Sequence, residues 1–429
     1  MSNYLKKSGC ALILLALMVT AAGQALKTRQ KTEQQVMPGR VNSPAQYDKP
    51  YVILVSADGF RYDYIDKYNC TNLQRLSSGG VRAESMLPVF PSLTFPNHYS
   101  LITGMYPAHH GLVDNTFYDP ALQRRYSTSN TREVLDSIWY GGEPLWVLAE
   151  KQQMLSACFY WVASEVPVQG ILPGYWYHYG KDIRMPDRLQ AVKDWLSLPE
   201  EKRPHFIAFY FPEVDHESHE HGPDSRETEE AVHFVDASIG QLQSILDSLK
   251  LPVNLIFVSD HGMAAVDTVN TVKAPMVDTT KFVMALGDMT AHIYSKDKDE
   301  AAVNALYDQL KAAAEWYDVY LMSETPKRWN YRKEDDRFGR LGDILLVPQY
   351  PRVFHWSNRR VIPGRHGYDP YKYKDMHASF YAWGPQIKSG ERVDTFQNVE
   401  VYRLVAQILG LGVKETDGGE FLLKKVLKK

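Results

Sequence analysis

Three apolar segments of this 429-residue chain are each followed by side chains that can bind a metal ion. The segments begin at Tyr51, His205 and Val253. The side chains that follow them are Asp58 after the first segment, Asp215 and His219 after the second, and Asp260 and His261 after the third. A further histidine, His366, lies in the sequence Gly-Arg-His-Gly. Carboxylates and imidazoles without a thiolate are typical of catalytic Zn²⁺ sites, and Mn²⁺ or Fe is also possible.

These six ligands divide into two sites of three, each with open coordination positions. Two ions about 4 Å apart would clamp the attacking and leaving oxygens of a phosphoryl group. The spacing of Asp215 and His219 places both on one face of a helix, which selects His219 over His216 and His221. Taken alone, an aspartate such as Asp58 after a strand is more often a turn or cap residue, so the interpretation depends on the whole set.

A hydroxyl nucleophile is available in the stretch Phe90-Pro-Ser-Leu-Thr94-Phe-Pro96. Pro96 fits the first turn of a helix, so Thr94 is predicted at or just before the start of that helix. The free N–H groups of a helix start bind phosphate, and a metal ion would activate the threonine hydroxyl by lowering its pKa. Without the metal-binding side chains, Thr94 would be interpreted as a helix cap alone. His98, in the same stretch, is assigned a structural role.

The elements that must position these groups predict an α/β fold. The three apolar segments lack alternation and fit strands that are buried on both faces. A helical pattern from Ala231 to Leu249 lies between two of them. Strands alternating with helices imply a mostly parallel central sheet with helices on both faces, and functional groups collect beyond the carboxyl ends of its strands.

The chain is divided as follows. Residues 1–25 are predicted to be a signal peptide, since Lys6 and Lys7 precede a short apolar run and small residues follow it. An uncleaved N-terminal anchor is the alternative. Residues 26–49 are predicted to be a mobile leader, and residues 50–415 the main domain, with a smaller α+β insertion at 270–365. Residues 116–200 are expected to form loops and helices over the site, and 416–429 a basic tail.

Composition limits the function classes. The chain is 44% hydrophobic and 23% charged, which is typical of a globular protein and not of a disordered one. Its formal net charge of −3 gives no general electrostatic basis for nucleic-acid binding. The signal peptide predicts export to a periplasmic or extracellular space, and no mature segment is apolar enough to span a membrane. Cys70 and Cys158 could pair there or stay buried, and the oligomeric state is open.

Several stretches closely resemble the nucleotide pyrophosphatase/phosphodiesterase family of the alkaline phosphatase superfamily. The resemblance runs in order through about residues 50–410. Its motifs are Ser56-Ala-Asp-Gly-Phe-Arg, Phe90-Pro-Ser-Leu-Thr-Phe-Pro-Asn-His, Gly111-Leu-Val-Asp-Asn, Asp215-x-x-x-His-x-x-Gly-Pro, Ser259-Asp-His-Gly-Met, His366-Gly-Tyr-Asp and Asn398-Val-Glu-Val-Tyr.

The resemblance implies a hydrolase with two Zn²⁺ ions per chain and a threonine nucleophile. One ion would be bound by Asp58, Asp260 and His261 and contact the Thr94 oxygen, and the other by Asp215, His219 and His366. Asn115 and the Thr94 N–H would hold a phosphate oxygen. Phe95 and Tyr175 would stack on either side of a nucleobase. The expected substrate is a small nucleotide or another phosphodiester, cleaved to a nucleoside 5′-monophosphate.

Three other interpretations stay open at this point. A choline-phosphodiester enzyme could use Glu165 with the aromatic rings of Tyr175, Trp176 and Tyr177 to enclose the cation. A phosphomonoesterase would need more positive charge near the nucleophile, and no arginine is evident close to Thr94 in the sequence. A secreted binding protein with purely structural metals would keep the ligands and lose turnover.

Overall fold

A nine-stranded sheet forms the centre of the protein. The computed structural model describes residues 32–273, 275–287, 289–356 and 360–429. In spatial order the strands are Gln35–Val36, Tyr175–Tyr177, Ser156–Phe159, Phe206–Phe211, Tyr51–Ala57, Val253–Val258, Phe380–Trp383, Val81–Ala83 and Glu391–Val393. Five of the eight strand pairings are parallel. The predicted α/β fold with a mostly parallel sheet is confirmed.

The three apolar segments of the sequence are the three adjacent strands in the middle of this sheet. All seven residues of Tyr51–Ala57 are buried, because helices cover both faces. Val52 and Leu54 pack into one hydrophobic cluster, and Ile53 and Val55 pack into the other. The clusters include helices Thr94–Thr103, Leu145–Lys151 and Glu400–Leu409 on one face, and Thr71–Ser78, Met185–Leu196 and Arg226–Leu249 on the other.

The remaining helices are shorter or lie outside these two layers. The α-helices are Tyr64–Lys67, Pro107–His110, Thr131–Val134, Glu213–His221, Glu300–Ala313 and Phe421–Val426. Single 3₁₀ turns are Pro44–Gln46, Ser137–Trp139, Met322–Glu324, Lys327–Trp329, Lys333–Asp335 and Lys374–Met376.

A second, antiparallel sheet lies within residues 282–348 and has a hydrophobic core of its own. In spatial order its strands are Phe282–Leu286, Ala291–Ser295, Ile344–Pro348 and Tyr317–Leu321. Arg340 joins this part of the chain to the main domain. Its Nε donates to Asp119 Oδ2 at 2.9 Å, and its other nitrogens donate to the backbone carbonyls of Gly111, Ile138 and Trp139.

Four short strand pairs complete the fold. They are Met86–Leu87 with Phe396–Gln397, Thr116–Asp119 with Arg124–Ser127, Ala264–Ala265 with Gly364–Arg365, and Val272–Lys273 with Phe354–His355.

The described part of the leader differs from the mobile segment that its composition predicted. Gln35–Val36 pairs with Tyr175–Tyr177 and forms one edge of the central sheet. The side chain of Asn42 bonds the backbone of Leu155, Glu200 and Arg203 at 2.6–2.7 Å. These hydrogen bonds hold the leader against the main domain. They form with residues far along the chain, so the composition of the segment does not predict its order.

Residues 116–200 also differ from the expectation of loops and helices alone. Ser156–Phe159 and Tyr175–Tyr177 are strands of the central sheet. They are four and three residues long, too short to give a strand pattern in the sequence.

The termini, the cysteines and the lengths of the helices add four observations. The predicted signal peptide, residues 1–25, lies outside the described residues. In the C-terminal helix Phe421–Val426, Leu422 and Val426 are buried in the main core rather than free for a membrane surface. Cys70 and Cys158 are both buried and not joined to each other. Within the described ranges, no helix has the length and apolar character needed to cross a bilayer.

Candidate metal-binding active site

The carboxyl ends of the three central strands meet at one edge of the sheet, and the predicted ligands lie there. Asp58 directly follows Tyr51–Ala57, and Asp260 and His261 follow Val253–Val258. Asp215 and His219 lie on the helix Glu213–His221, which begins two residues after Phe206–Phe211. Because these strands are parallel neighbours, their carboxyl ends lie side by side. Side chains that are some 200 residues apart in the sequence are therefore close in space.

The inner cluster consists of Asp58, Asp260 and His261, all of them buried. His261 Nε2 lies 2.9 Å from Asp260 Oδ2 and 3.4 Å from Asp58 Oδ1. One atom from each residue therefore faces a common point. A carboxylate–carboxylate–imidazole set of this kind suits a divalent cation.

The outer cluster consists of Asp215, His219 and His366. His219 Nε2 lies 3.3 Å from Asp215 Oδ1 and 3.1 Å from His366 Nε2. His366 Nε2 lies 3.6 Å from the same Asp215 oxygen. His366 reaches the cluster from a loop after the strand pair that contains Gly364–Arg365.

Backbone carbonyls hold all three ligand imidazoles by their Nδ1 atoms. His261 Nδ1 bonds the carbonyl of Gly262, His219 Nδ1 that of Gly364, and His366 Nδ1 that of Ser92, each at 2.8 Å. An N–H on Nδ1 leaves the lone pair on Nε2, which is the atom that faces the cluster in each case. The Nδ1 hydrogen bond of each histidine therefore already orients its ring for metal binding through Nε2.

Three carboxylate oxygens in the clusters lack hydrogen-bond partners, although they are buried. Within the described part of the chain, these are Asp58 Oδ1, Asp215 Oδ1 and Asp260 Oδ2. Two of the companion oxygens are held, since Tyr210 donates to Asp58 Oδ2 at 2.6 Å and Gly59 N–H to Asp260 Oδ1 at 3.2 Å. A buried carboxylate oxygen without a donor is costly. The donor set and these oxygens fit one divalent cation in each cluster.

The electrostatics of Asp58 and His366 agree with that fit, whereas for His261 the effect of burial is outweighed by the charge of Asp260, which raises its pKa. Burial, together with the charges of Asp260 and Asp215, raises the pKa of Asp58 well above its usual range. Burial and the nearby His261 and His219 lower the pKa of His366 well below its usual value. The His366 imidazole is therefore neutral, as a metal ligand must be, and a cation would offset the repulsion among the carboxylates.

Thr94 is the first residue of the helix Thr94–Thr103, in agreement with the position that Pro96 indicates. Its Oγ1 lies 3.1 Å from His261 Nε2 and so borders the inner cluster. His98, one turn later, has its Nδ1 3.0 Å from the Thr94 carbonyl and 3.1 Å from Asp260 Oδ2. His98, which was expected to be structural, therefore links the helix start to the carboxylate of Asp260.

Asn115 lies beside this helix start. Its Oδ1 accepts from the N–H of Phe95 at 3.2 Å. This bond engages the carbonyl end of the Asn115 amide and leaves its N–H₂ end as the donor. The side chain of Asn115 therefore lies next to Thr94 at the helix start. The backbone N–H of Phe95 is already engaged by Asn115.

A cavity of about 750 Å³ opens beside Thr94, and we call it the aromatic cavity. Its ring-bearing walls are Phe95, Tyr160, Trp161, His178, Tyr179 and Tyr210. Tyr179 is 47% exposed and meets Tyr160 edge to face at 5.3 Å between ring centroids. Glu165 fixes this wall, since its carboxylate accepts from Tyr179 N–H at 2.8 Å and contacts His178 Nδ1 at 2.7 Å.

The structure does not bring Tyr175 to this cavity. Tyr175 lies within a sheet strand, is 7% exposed, and donates its hydroxyl to the carbonyl of Lys202 at 2.9 Å. Tyr179, two residues beyond the end of that strand, lines the cavity instead. The rule that site residues follow the carboxyl ends of parallel strands would have favoured Tyr179. Trp176 and Tyr177 also pack against the core, so the predicted choline enclosure is not assembled.

A second cavity, of about 250 Å³, lies on the side of the outer cluster, and we call it the polar cavity. Its lining includes Asn115, Thr128, Thr290, Arg365, His219 and His366. Thr128 lines both cavities, so the two are neighbours.

Comparison with known proteins gives consistent matches. The family model described as type I phosphodiesterase/nucleotide pyrophosphatase matches residues 52–369. Ectonucleotide pyrophosphatase/phosphodiesterase family member 1 of Mus musculus is 34% identical over 403 residues, which cover 90% of this chain and 44% of that protein. A venom phosphodiesterase of Crotalus durissus collilineatus is 32% identical, with 91% and 48% covered. The chain therefore spans about half the length of these relatives.

Solved structures agree with the fold. Murine ectonucleotide pyrophosphatase/phosphodiesterase 5 superposes with a TM-score of 0.81 at 27% identity, covering 88% of this chain and all of that one. An inactive form of the murine protein, solved in complex with AMP, matches equally well.

Proposed function

Because the chain belongs to the type I phosphodiesterase/nucleotide pyrophosphatase family, we propose that it is an exported two-zinc hydrolase. It cleaves the phosphodiester or pyrophosphate bond of a nucleotide and releases a nucleoside 5′-monophosphate. The observation that carries the proposal is the position of Thr94 Oγ1 beside two clusters in which three carboxylate oxygens have no donor among the described residues.

Asp58, Asp260 and His261 would hold one zinc ion, and Asp215, His219 and His366 the other. When bound, such ions acidify an adjacent hydroxyl or water and balance the charge of a phosphoryl group. The fixed Nδ1 bonds of the three histidines support this role, because they hold each ring ready without further reorganisation.

Thr94 attacks the phosphorus, the bond to the leaving oxygen breaks, and a covalent nucleotidyl-threonine results. Water then attacks the same phosphorus from the opposite side and frees the Thr94 oxygen. The N–H₂ group of Asn115 donates to a non-bridging phosphoryl oxygen, and the backbone N–H of Thr94 at the helix start donates to the same charge. Tyr210 keeps Asp58 in place by its 2.6 Å hydrogen bond.

The nucleoside half of the substrate occupies the aromatic cavity. Phe95 and Tyr179 provide ring surfaces on which a base can stack, which favours nucleotides without selecting one base. Tyr179 takes the role that the resemblance gave to Tyr175.

Export is part of the proposal and depends on residues 1–25. The basic start, apolar run and small residues of this segment support a cleaved signal peptide. Fractionation of producing cells, followed by N-terminal sequencing of the exported protein, tests this directly. A cytoplasmic protein with an intact N-terminus would contradict it.

A substrate panel tests the activity. The panel is p-nitrophenyl-dTMP, ATP, p-nitrophenyl phosphate and p-nitrophenylphosphorylcholine, and the zinc content of the same sample is measured. We expect about two zinc ions per chain and turnover of the first two compounds above the others. Faster turnover of p-nitrophenyl phosphate would indicate a phosphomonoesterase, and faster turnover of p-nitrophenylphosphorylcholine would indicate a choline phosphodiesterase. Zinc without any turnover would indicate a binding protein.

A further inference from the structure

The leader contributes a side chain to the aromatic cavity. Gln35 is one of the residues that line this cavity, together with Thr94 and Phe95. It lies before residue 52, where the match to the family model begins. The predicted signal peptide, residues 1–25, ends before Gln35, so an exported chain would keep this residue. One wall of the cavity is therefore built by a segment outside the matched region.

Pairing with the edge of the central sheet sets the position of Gln35. In the register of the two strands, Gln35 lies opposite Trp176, and Val36 lies opposite Tyr175. Successive side chains of a strand point to opposite faces. Gln35 is half-buried and lines the cavity, whereas Val36 is 50% exposed and does not line it. The strand register therefore determines which leader side chain reaches the cavity.

The leader is anchored on both sides of Gln35. Before it, the side-chain oxygen of Gln34 accepts from Trp195 Nε1 at 2.6 Å. After it, the N–H of Met37 donates to the carbonyl of Gly174 at 2.9 Å. Because the backbone is already held here, a ligand that contacts Gln35 does not have to order the leader first, which is a cost that weakens binding to flexible segments.

The carboxamide of Gln35 has a free acceptor. Its Nε2 donates to the backbone carbonyl of Glu33 at 3.2 Å, within the leader itself. Its Oε1 accepts no hydrogen bond from the residues that the structure describes. A carboxamide oxygen can accept from N–H and O–H groups, so this atom is available to a donor on a ligand in the cavity.

The one carboxylate in the described lining of the cavity already has partners. It belongs to Glu165, which accepts from Tyr179 N–H and contacts His178 Nδ1. Gln35 is the only carboxamide among the described residues of the same lining. It is therefore suited to contact the uncharged polar groups of a ligand, while the rings provide the stacking surface.

We propose that Gln35 is a specificity-determining residue, whose Oε1 accepts a hydrogen bond from an N–H or O–H group of the nucleoside half of the substrate. This inference rests on the proposed function and deepens it, because it adds the leader to the substrate site. It separates nucleotide diesters from diesters of simple aryl alcohols. The aryl groups of bis(p-nitrophenyl) phosphate have no N–H or O–H donor and gain nothing from Gln35.

The test measures kcat and KM of the full chain with p-nitrophenyl-dTMP and with bis(p-nitrophenyl) phosphate. Both are diesters with the same p-nitrophenolate leaving group, and only the first has a nucleoside. In Gln35→Ala, KM for p-nitrophenyl-dTMP is expected to rise about three- to tenfold, the effect of one lost neutral hydrogen bond. Its kcat should be unchanged, because Thr94 and both metal-binding clusters remain. Both constants for bis(p-nitrophenyl) phosphate should also be unchanged.

Two further variants separate a hydrogen bond from a structural effect. Val36→Ala is the matched control, since Val36 lies in the same strand and does not line the cavity. It should leave KM for both compounds unchanged. Gln35→Met keeps the length of the side chain and removes its carboxamide, so it should raise KM for p-nitrophenyl-dTMP as Gln35→Ala does. A rise in Gln35→Ala that is absent in Gln35→Met would indicate packing and overturn the inference.

The remaining outcomes separate the two proposals. A wild-type protein that hydrolyses neither compound contradicts the proposed function, and this inference with it. Wild-type turnover of p-nitrophenyl-dTMP with an unchanged KM in Gln35→Ala overturns the inference alone. An equal rise in KM for both compounds, together with a lower unfolding temperature, would assign Gln35 a structural role and overturn it as well.

Discussion

The imidazole rings of His261 and His366 stack with their centroids 3.5 Å apart and their planes 13° from parallel. One ring belongs to the inner cluster and the other to the outer cluster. The stacked pair therefore forms a common wall, and cations bound in the two clusters would be close neighbours. A phosphoryl group that reaches Thr94 would meet both at once, as a two-metal displacement requires.

Thr94→Ala is expected to lower kcat to about one thousandth or less and to leave the zinc content unchanged. Alanine removes the attacking oxygen, while all six cluster ligands remain. Turnover of p-nitrophenyl-dTMP and metal analysis of the same sample measure both effects. Thr280→Ala is the control, because Thr280 is exposed and its hydroxyl donates to Asp278 Oδ1 far from the clusters. A Thr94→Ala protein within tenfold of the wild type would disprove the covalent step.

Asn115→Ala is expected to lower kcat for diesters by about a hundredfold, the effect of losing one donor to the developing phosphoryl charge. The KM for p-nitrophenyl-dTMP should change less, because the aromatic cavity is untouched. Circular dichroism and unfolding temperature confirm that the fold is intact. An unaltered kcat would remove Asn115 from the site.

Chelation is expected to abolish activity, and added zinc to restore it. The three donor-free carboxylate oxygens would then lose their counter-charge, so the unfolding temperature should also fall on chelation. Differential scanning fluorimetry with EDTA and then excess Zn²⁺ measures this without reference to turnover. Indifference of both activity and unfolding temperature to EDTA would contradict the two-metal assignment.

Tyr179→Ala is expected to raise KM for nucleotide substrates about tenfold, in the range of one lost stacking interaction. Tyr179→Phe keeps the ring and should behave like the wild type. The matched control is Tyr175→Phe, which loses only the hydrogen bond to the Lys202 carbonyl and should leave KM unchanged. If KM responds to Tyr175 and not to Tyr179, the nucleoside half binds elsewhere.

Arg340→Met is expected to lower the free energy of unfolding by about 3–5 kcal/mol, because Asp119 is left buried without its partner. Arg226→Ala breaks an exposed pair with Glu230 and should cost about 0–1 kcal/mol. Urea denaturation of the two variants gives the comparison. Equal, small losses would mean that Arg340 does not hold the second sheet to the main domain.

The sequence predicts well wherever a local pattern determines the structure. Long apolar runs in the sequence predict the strands Tyr51–Ala57, Phe206–Phe211 and Val253–Val258. The parallel order of these strands then brings the predicted metal ligands together. Pro96 marks the start of the helix Thr94–Thr103 within two residues. These elements are encoded by residues that are neighbours in the chain.

The sequence predicts poorly where a partner far along the chain decides the outcome. From the sequence, Tyr175 and Tyr179 are equally plausible as the ring that stacks on a nucleobase. In the structure, Tyr175 is buried within the strand that ends at Tyr177, whereas Tyr179 lies beyond it and is exposed. The bond from Tyr210 to Asp58 spans 152 residues and leaves no local signature. The polar cavity cannot be predicted from the sequence either, because Arg365 and Thr128 come to line the same cavity only in the folded chain.

The leader strand Gln35–Val36 has a practical consequence, because it covers the edge strand Tyr175–Tyr177. The opposite edge, Glu391–Val393, carries the exposed charges of Glu391 and Arg392, which discourage pairing with another molecule. A shortened protein that begins at Tyr51 would lack this leader strand. The backbone of Tyr175–Tyr177 would then be exposed at the edge of the sheet, where it could pair with another molecule and cause aggregation. Recombinant versions should therefore retain the chain from about residue 33 onward if they are to stay in solution.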